Sequence, residues 1–281
     1  ETGVAEPFSD EEFAMVHRTV RRWDSEKKAD DSINDYYRYA YHTGYHWIQR
    51  LNEDEIDIGA GVKYNADVPS PKETVESAIA EHPSITEEVI RGGGGKCLVG
   101  RSPYSLVTGR FMAIGDAASQ TIPMTGCGAG GAMIGGKLAA ETILEAQKGG
   151  KYDIDALWSY NYKWFVGSGR GSNYAALTAL RNILQALPNK DNSFLFNKDV
   201  FSDEMLTSSI NGIFQMPTLS LMTKALFGCI SRPGLLLTLN KATTIGTKLY
   251  KHYLKYPETW SAPTFNAWRT KAAALFSKTR G

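Results

Sequence analysis

The fold of this chain is decided by the stretch Phe111-Met-Ala-Ile-Gly115-Asp116-Ala-Ala-Ser-Gln-Thr-Ile-Pro123-Met-Thr-Gly126-Cys127-Gly128-Ala129-Gly-Gly-Ala-Met-Ile-Gly-Gly-Lys-Leu-Ala-Ala-Glu141. It predicts a short buried strand over 111–114, a loop over 115–128 punctuated by Gly and Pro, and an Ala-rich helix from Ala129 to about Lys148. A carboxylate just past a strand, followed by a glycine loop that feeds a helix N-terminus, is a common way to hold a polar cofactor.

Three features of this stretch favour a flat, partly anionic ligand. Asp116 is expected at the carboxyl end of its strand, where it can accept hydrogen bonds from a sugar-like hydroxyl. Gly126 and Gly128 lack Cβ atoms, so the backbone can approach a flat ligand closely. The first helical amides favour negative charge, such as the N1–C2=O edge of a reduced flavin. The alternative is a tight strand–loop–helix turn without a ligand.

The order of these residues is similar to the second flavin-binding motif of two-domain FAD oxidoreductases. Gly115-Asp116-Ala-Ala, Pro123, Gly126, Gly128 and Ala139-Ala140-Glu141 follow one another as in that motif. The whole chain resembles the geranylgeranyl reductase family, which saturates isoprenoid double bonds. The resemblance implies FAD as the cofactor, with the Asp on the ribityl chain and the glycine loop facing the isoalloxazine ring. The implied cofactor-binding residues are Gly115, Asp116, Pro123, Gly126, Gly128 and Ala129.

A second glycine pattern lies inside the same stretch and is rejected. Gly126, Gly128 and Gly131 match G-x-G-x-x-G, but a dinucleotide fingerprint needs a strand running directly into its first glycine. The run Gly92–Gly95 with Lys96 lacks the rest of a P-loop. The chain thus has a flavin-facing motif and no visible ADP-binding motif. Since it begins with Glu1, we expect an N-terminally incomplete chain; the alternative is a protein that never had that unit.

The remaining chain predicts an α/β (α+β) fold with a partial FAD-binding Rossmann-like domain, an antiparallel β substrate domain and a helical C-terminal domain. The expected domains are 1–95 (partial FAD and substrate binding, β-rich), 96–150 (returning FAD-binding segment) and 151–281 (helical). Apolar residues have helical spacing over residues 1 to about 35. Residues 36–64 are rich in aromatic alternation and predict strands, whereas 71–90 predicts one or two helices.

One constellation in the predicted hairpin bears on the substrate. Tyr45-x-Trp47 precedes Gly59-x-Gly61, and the family carries a similar Tyr-x-Trp-x-Phe-Pro segment and Gly-x-Gly that line the prenyl-chain site. This sequence has Gln49-Arg50 where Phe-Pro is expected, which puts the substrate in doubt more than the fold. The resemblance implies Tyr45, Trp47, Gly59 and Gly61 as substrate-binding residues. The alternative is one face of an ordinary packed hairpin.

The implied chemistry is hydride delivery from reduced FAD to an alkene carbon, with an acid supplying the proton. Tyr45 and His46 are candidate acids by location, and for His46 a structural or solvent-facing role is favoured. Cys127, beside the flavin loop, is a candidate redox group, and a small buried thiol is the alternative. A prenyl lipid is the implied substrate, and NAD(P)H or ferredoxin the implied electron donor. The competing functions are an FAD-dependent monooxygenase (hydroxylase) and an inactive fragment that binds lipid.

Composition excludes several classes of partner. The 281 residues carry 31 basic and 30 acidic side chains, so a net charge of +1 gives no argument for nucleic acid or for global attraction to anionic membranes. Three scattered cysteines fit neither a disulfide framework nor a metal site, and they favour a reducing compartment. We therefore expect a cytoplasmic protein that contacts, at most, the inner face of a membrane peripherally.

The segment 212–239 is notably apolar but is interrupted by Pro217, Lys224, Arg232 and Pro233, so it is not expected to span a bilayer. One interpretation is the core of the helical domain. The other is a lipid-facing surface or the mouth of a tunnel that admits a prenyl chain.

Overall fold

The computed structural model describes residues 8–24, 26–27, 36–41, 44–64 and 68–279, with 36–41 described through the backbone alone. The described residues divide into two compact units, one within Ser9–Cys97 and a second one that comprises Phe8 and residues 98–279. An antiparallel sheet lies in the first unit and helices dominate the C-terminal part, which confirms the predicted fold class. The predicted division of the chain at residues 95 and 150 stays a prediction.

The first unit is a five-stranded sheet in the order β2-β3-β4-β1-β5. The pairs β1–β4, β2–β3 and β3–β4 are antiparallel. The chain reverses between β3 and β4 at 51–54, as the sequence predicts. The strands are β1 (Phe13–Trp23), β2 (Tyr36–Tyr41), β3 (Gly44–Arg50), β4 (Glu55–Lys63) and β5 (Ile85–Leu98).

One helix, α1 (Pro71–Ala80), covers one face of this sheet. The Ser70 hydroxyl accepts a hydrogen bond from the Glu73 amide, and Pro71 occupies the first helical position, where a missing N–H costs nothing. Val75 and Ala78 from the helix pack with buried side chains from the strands. The packed strand residues are Trp23, Ile48, Ile56, Ile58, Ala60 and Ile85.

Two predictions for this unit are wrong. Residues 13–23, whose apolar residues have helical spacing, form β1. Before the strand, Ser9 and Glu12 form a capping box around a single 3-10 turn at Asp10–Glu12. Residues 85–90 are part of β5, so the Gly92–Gly95 run lies within a strand. Much of the predicted N-terminal helix, residues 1–7 and 28–35, lies outside the described residues.

The second unit consists of a short hairpin, the long helix α2 and a C-terminal group of helices. The hairpin pairs β6 (Val107–Thr108) with β7 (Phe111–Met112), and α2 spans Ala129–Gly149. A π-helical turn at Lys163–Gly167 separates α4 from α5. The helices that follow α2 are α3 (Ile154–Leu157), α4 (Ser159–Tyr162), α5 (Arg170–Leu184), α6 (Asn189–Asn197), α7 (Asp203–Ile210), α8 (Leu219–Gly228), α9 (Pro233–Tyr253) and α10 (Ala262–Phe276).

The core of the second unit is an aromatic cluster. The Trp158 and Tyr256 rings are stacked with centroids 5.5 Å apart, and Phe165 stacks on Tyr256 at 4.7 Å. Trp268 meets Tyr256 edge-on at 4.6 Å. Rings in such arrangements each bury a large apolar area, so this cluster anchors the C-terminal helices on the hairpin and α2.

Candidate functional site

The glycine loop (115–128) begins differently from the sequence prediction. The strand before it is only Phe111–Met112, and the side chains of Phe111 and Ile114 are each 38% exposed, so the predicted fully buried strand over 111–114 is wrong. Asp116 lies in a 3-10 turn at Gly115–Ala118. Its carboxylate is exposed and therefore accessible to a ligand.

The structure brings Asp116 to the N-terminus of α2. An ideal Cβ built on Gly128, the N-cap residue, would come within 3.0 Å of Asp116 Oδ1. The positive end of the helix dipole favours a carboxylate at this place. Among the described residues, no side chain caps the first turn of α2. The exposed carboxylate and the uncapped helical turn thus share one surface.

The other predicted cofactor residues surround this point. Gly126 adopts φ of +68°, a left-handed conformation that favours glycine, and the Ile122 amide donates to the Cys127 carbonyl oxygen at 3.0 Å. Pro123 is buried under the loop, whereas Cys127 and Ala129 are exposed. Cys127 is therefore a surface thiol at the glycine loop and not the small buried thiol considered as the alternative.

The sequence prediction missed Gln120, which fixes the loop from below. Its side chain is fully buried. The Gly115 amide donates to Gln120 Oε1 at 2.8 Å, and Gln120 Nε2 donates to the Tyr160 hydroxyl at 2.9 Å. The Tyr160 hydroxyl donates in turn to the Ala113 carbonyl at 3.0 Å. Burial raises the pKa of Tyr160 to about 12, so the phenol stays protonated and keeps this donor role.

Gln120 also explains two of the helix glycines. A side chain on Gly131 would overlap the Gln120 backbone carbonyl, and one on Gly135 would overlap the Gln120 carboxamide. By contrast, Gly130 and Gly136 face space in which the described residues place no atom within 4 Å of a built Cβ. Close packing thus accounts for two of these glycines, and the other two lie on the open side of α2.

The segment that enters the loop region is tied to it by hydroxyl groups. Thr121 Oγ1 donates to the Leu98 carbonyl at 3.1 Å, and Ser119 Oγ donates to the Gly100 carbonyl at 2.8 Å. Ser102 Oγ donates to the Ser119 carbonyl at 3.3 Å. These bonds hold the two chain segments side by side without a regular strand ladder.

The predicted substrate residues form cross-strand pairs in the first unit. Tyr45 is directly opposite Gly61, and Trp47 is directly opposite Gly59. The Trp47 indole lies where a side chain on Gly59 would be, and the rings of Tyr45 and Trp47 are 5.9 Å apart at an angle of 49°. Because residues in direct register share a face, these four residues form one patch on the face opposite α1.

An ion pair that the sequence did not reveal orients this patch. Arg18 Nε donates to both carboxylate oxygens of Asp57 at 2.8 Å. Trp47 Nε1 donates to Asp57 Oδ1 at 3.4 Å. Asp57 is buried, and its hydrogen bond and charge raise the pKa of the Arg18 guanidinium. Arg18 and Asp57 lie 39 residues apart, which no local pattern could disclose.

His46 lies on the other face of the sheet. It is only 6% exposed and stands opposite Ala60, on the face where Ile48 and Ile58 pack against α1. The structure therefore separates the two candidate acids: Tyr45 is half-buried on the patch with Trp47, and His46 is in the helix-covered layer.

Within the described part of the chain, no group of three His, Cys, Asp or Glu side chains is arranged to hold a metal ion. In the same residues, none of the helices combines the length and the hydropathy that a membrane span requires.

The apolar segment 212–239 is largely exposed. Among the residues described there, Phe214, Leu235 and Leu239 are the large apolar side chains that are buried. A cavity of about 460 Å³ lies between α5, α7, α8 and α9. The lining is apolar or uncharged throughout. The exposed side chains are Ile213, Met216, Leu219, Met222, Leu226, Phe227, Ile230 and Leu237.

The chain is homologous to digeranylgeranylglycerophospholipid reductases. It is 26% identical to the Sulfolobus acidocaldarius enzyme of that name over 277 residues, which is 96% of this chain and 59% of the relative. It is 31% identical to digeranylgeranylglycerophospholipid reductase 2 of Methanococcoides burtonii over 134 residues, 46% of this chain and 32% of that one. The chain thus spans between a third and three fifths of the length of these relatives.

The fold has a counterpart among solved structures. A geranylgeranyl bacteriochlorophyll reductase-like protein of Thermoplasma acidophilum superposes with a TM-score of 0.59 at 16% identity, over 84% of this chain and 56% of that one. At this identity the likeness concerns the fold. No protein-family model matches the chain. The predicted resemblance to geranylgeranyl reductases is confirmed by these relationships.

Proposed function

We propose that this chain takes part in the flavin-dependent reduction of carbon–carbon double bonds in the isoprenoid chains of lipids. One observation carries the proposal: the exposed Asp116 carboxylate lies beside Gly128 at the uncapped N-terminus of α2. The sequence relatives are named as reductases of a digeranylgeranyl glycerophospholipid. A glycine-lined helix start beside a carboxylate suits a cofactor that carries both hydroxyl groups and an anionic edge.

The residues at the glycine loop fit a flavin. Asp116 can accept hydrogen bonds from ribityl hydroxyls, since its carboxylate is exposed. Gly126 and Gly128 leave the backbone accessible to a flat ring, and the first amides of α2 favour partial negative charge on that ring. Gly115, Pro123 and Ala129 complete the predicted set. When bound and reduced, a flavin supplies hydride.

The patch on the sheet is the proposed prenyl-binding surface. Trp47 offers an apolar ring. Its indole N–H donates to Asp57, and the ring packs into the space that Gly59 leaves open. An isoprenoid chain carries no hydrogen-bonding groups, so contact with such rings and glycines supplies burial without unpaired polar atoms. Gln49 and Arg50 stand where the family has Phe-Pro, and both are exposed at the end of β3. Gln49 shares the face of Tyr45 and Trp47, so it makes that end of the patch polar.

Saturating one double bond consumes a hydride and a proton. We assign the role of proton donor to Tyr45 and not to His46. Tyr45 is half-buried on the patch, whereas His46 lies in the layer packed against α1. A phenol hydroxyl is protonated at neutral pH and can donate. Cys127 is exposed at the glycine loop and has no assigned step. The electron donor, NAD(P)H or ferredoxin, stays a prediction from the family.

Flavin binding tests the cofactor assignment. We expect this chain to bind FAD and riboflavin, measured as quenching of flavin fluorescence and by absorbance near ~450 nm, with no competition from ADP. Asp116→Ala should weaken binding about tenfold or more, the loss expected for a hydrogen bond to a charged group. Gly136→Ala, on the open side of the same helix, is the matched control and should bind as the parent does. If neither flavin binds, or if ADP competes, the assignment is wrong.

Turnover tests the substrate. The chain, loaded with FAD and reduced by dithionite, is mixed with a digeranylgeranyl lipid, and mass spectrometry should find two added hydrogens per saturated bond. Tyr45→Phe should lower the rate by about 10²-fold or more if the phenol supplies the proton, whereas His46→Gln should not change the proton-transfer step. Oxygen consumption coupled to hydroxylation would instead select the monooxygenase alternative.

A further inference from the structure

The most unusual surface in the described residues is an exposed apolar face on α8 and its flanks. We define this apolar face by Leu219, Met222, Leu226, Phe227, Ile230 and Leu237, whose side chains are between 49% and 81% exposed. Every residue of α8 keeps part of its surface in solvent. Residues 219, 222 and 226 are spaced by three or four, which aligns them as one stripe on α8, and Ile230 follows two residues after the helix ends. Water-soluble proteins seldom leave such a continuous stripe in contact with water.

The cavity behind the face is continuous with it. Leu219, Met222, Leu226 and Leu237 belong to the face and also line the cavity of about 460 Å³. The polar groups in the lining are uncharged: they are the side chains of Ser209, Gln215, Thr223, Asn240 and Thr243. A volume of this size with an uncharged, mainly apolar lining suits a ligand that is itself neutral and apolar.

The charge of the surrounding chain is one-sided. The 53 residues from Met205 to Pro257 contain no Asp or Glu, although acidic and basic side chains are nearly balanced over the whole sequence. The nearest carboxylates along the chain are Glu204, at the start of α7, and Glu258. The cations in this segment are Lys224, Arg232, Lys241, Lys248, Lys251 and Lys255. Arg232 is paired with Asp191 at 2.6 Å, and Lys224 and Lys241 are exposed beside the apolar face.

We propose that the apolar face docks on an anionic lipid bilayer, and that the cavity takes up an apolar chain from that bilayer. An apolar stripe on a helix, in a chain segment that carries lysines and no carboxylates, is the combination that inserts into the boundary between head groups and acyl chains. The wall shared by face and cavity gives a lipid chain a path that stays out of water. This inference goes beyond the proposed reduction, because neither docking nor chain uptake requires flavin or turnover.

Sedimentation with vesicles tests the docking. The full chain should sediment with vesicles of equal parts phosphatidylglycerol and phosphatidylcholine, and more weakly with phosphatidylcholine alone. Leu219→Ser, Phe227→Ser and Ile230→Ser combined should lower the partition coefficient about a hundredfold, since burial of each large apolar side chain is worth about tenfold or more. These side chains are exposed, so the variant should fold, which circular dichroism checks. Ile143→Ser with Leu144→Ser, equally apolar and exposed on α2, is the matched control.

The charges are tested separately. Lys224→Glu with Lys241→Glu should weaken binding to the anionic vesicles and leave binding to phosphatidylcholine nearly unchanged, and added salt should act on the parent in the same direction. Three results would overturn docking. They are no sedimentation with either kind of vesicle, an equal fall of the partition coefficient in the α2 control, or a dimer of the parent chain that is monomeric in the triple serine variant. The last result would mean that a second copy of the chain covers the face.

Chain uptake is tested in the absence of vesicles with geranylgeraniol, a neutral prenyl alcohol, through its displacement of a fluorescent apolar dye. Thr243→Phe should reduce uptake by about tenfold by filling the cavity. Asn240→Phe provides a second filling variant at an exposed lining position, in case the first one misfolds. Both variants should retain vesicle binding. A parent that takes up no alcohol, or filling variants that take it up as well as the parent does, would overturn this half of the proposal.

Discussion

The indole of Trp47 occupies the space in which a side chain on Gly59 would lie, directly across the β3–β4 ladder. Asp57, two residues before that glycine, accepts the indole N–H at 3.4 Å and is itself held by Arg18. A glycine and a carboxylate on one strand therefore fix the position of an aromatic ring on its neighbour. This arrangement gives Gly59 and Gly61 different roles, although both belong to the same Gly-x-Gly motif.

Gly59→Ala should displace Trp47, whereas Gly61→Ala should be tolerated. The Cβ of the first variant overlaps the indole, but the nearest atom to a Cβ on Gly61 is Val16 Cγ2 at 3.8 Å, an ordinary contact. We expect Gly59→Ala to lower the free energy of unfolding by about 1–3 kcal/mol. Urea denaturation measures the stability, and the wavelength of tryptophan emission reports the indole environment. Equal effects of the two variants would show that Trp47 does not depend on Gly59.

Gly131→Ala and Gly136→Ala should change stability in opposite directions. The first variant places a methyl group on the Gln120 carbonyl, which is backbone and cannot rotate away, so we expect a loss of about 1–3 kcal/mol. The second adds a methyl group in open space within a helix, where Ala is favoured over Gly by up to about 1 kcal/mol. Thermal and urea unfolding measure both. A loss of stability in Gly136→Ala would mean that this side of α2 is covered.

Removing the Tyr160 hydroxyl should loosen the glycine loop. Tyr160→Phe leaves the Ala113 carbonyl without its 3.0 Å donor and takes an acceptor from Gln120, at a cost of about 1–3 kcal/mol for buried groups left unpaired. Gln120→Leu should cost at least as much, because the Gly115 amide also loses its partner. Flavin affinity should fall with both variants. Tyr152→Phe, at an exposed tyrosine near the hairpin, is the control and should leave stability and affinity unchanged.

His252 should make the protein less stable as the pH falls. Burial lowers the pKa of this imidazole, and Lys271 and Lys255 lower it further, against a smaller opposing effect of its hydrogen bond with the Trp268 carbonyl. The unfolded chain therefore takes up a proton near the ordinary pKa of ~6.5 while the folded chain does not. Stability is unaffected by this group above that pH and declines below it, with a slope of at most about 1.4 kcal/mol per pH unit.

The measurement is the free energy of unfolding from pH 8 down to about pH 5. His252→Gln should be less stable at every pH, since the ring stacks on Trp268 with centroids 5.1 Å apart, but its curve should be flatter below about pH 6.5. A parallel pair of curves would mean that another group titrates in this window.

The central motif was predictable because its signals are local. Gly and Pro mark the loop, the Ala-rich run predicts α2 almost to its last residue, and Asp116 lies at the helix start as expected. Gln120 was missed because its role depends on Tyr160, 40 residues away, and a glutamine in a loop has no periodic signal. A glycine inside a helix suggests close packing, so a contact at Gly131 could be anticipated, but its partner Gln120 could not.

The error at β1 has a tertiary cause. Phe13, Val16, Val20 and Trp23 satisfy helical spacing, but the segment is also rich in β-branched and aromatic residues. In the structure it lies between β4 and β5, and partners on both sides supply its backbone hydrogen bonds. The pairing with β4 joins residues that are 33 to 49 positions apart, from Arg22–Glu55 to Ala14–Lys63, so periodicity alone could not predict it.

The apolar segment at 212–239 exposes a different limit of sequence patterns. Its stripe at 219, 222 and 226 has the spacing of a core helix, yet these side chains point to solvent. Hydrophobic spacing identifies a face and does not say what covers it. The lack of carboxylates over 205–257 was also present in the sequence and would have favoured the lipid-facing interpretation.

Two buried tyrosines tie the hairpin and the segment before it to the helical core. Tyr160 holds the Ala113 carbonyl, and the Tyr256 hydroxyl donates to the Tyr104 carbonyl at 2.8 Å across 152 residues. In hydrogen–deuterium exchange, the amides around the glycine loop should therefore exchange with the same opening free energy as those of the aromatic core. The affinity of the proposed cofactor site then depends on a cooperative folding unit that extends to the last helices. A destabilising substitution near Tyr256 should therefore increase the local unfolding of the loop around Asp116.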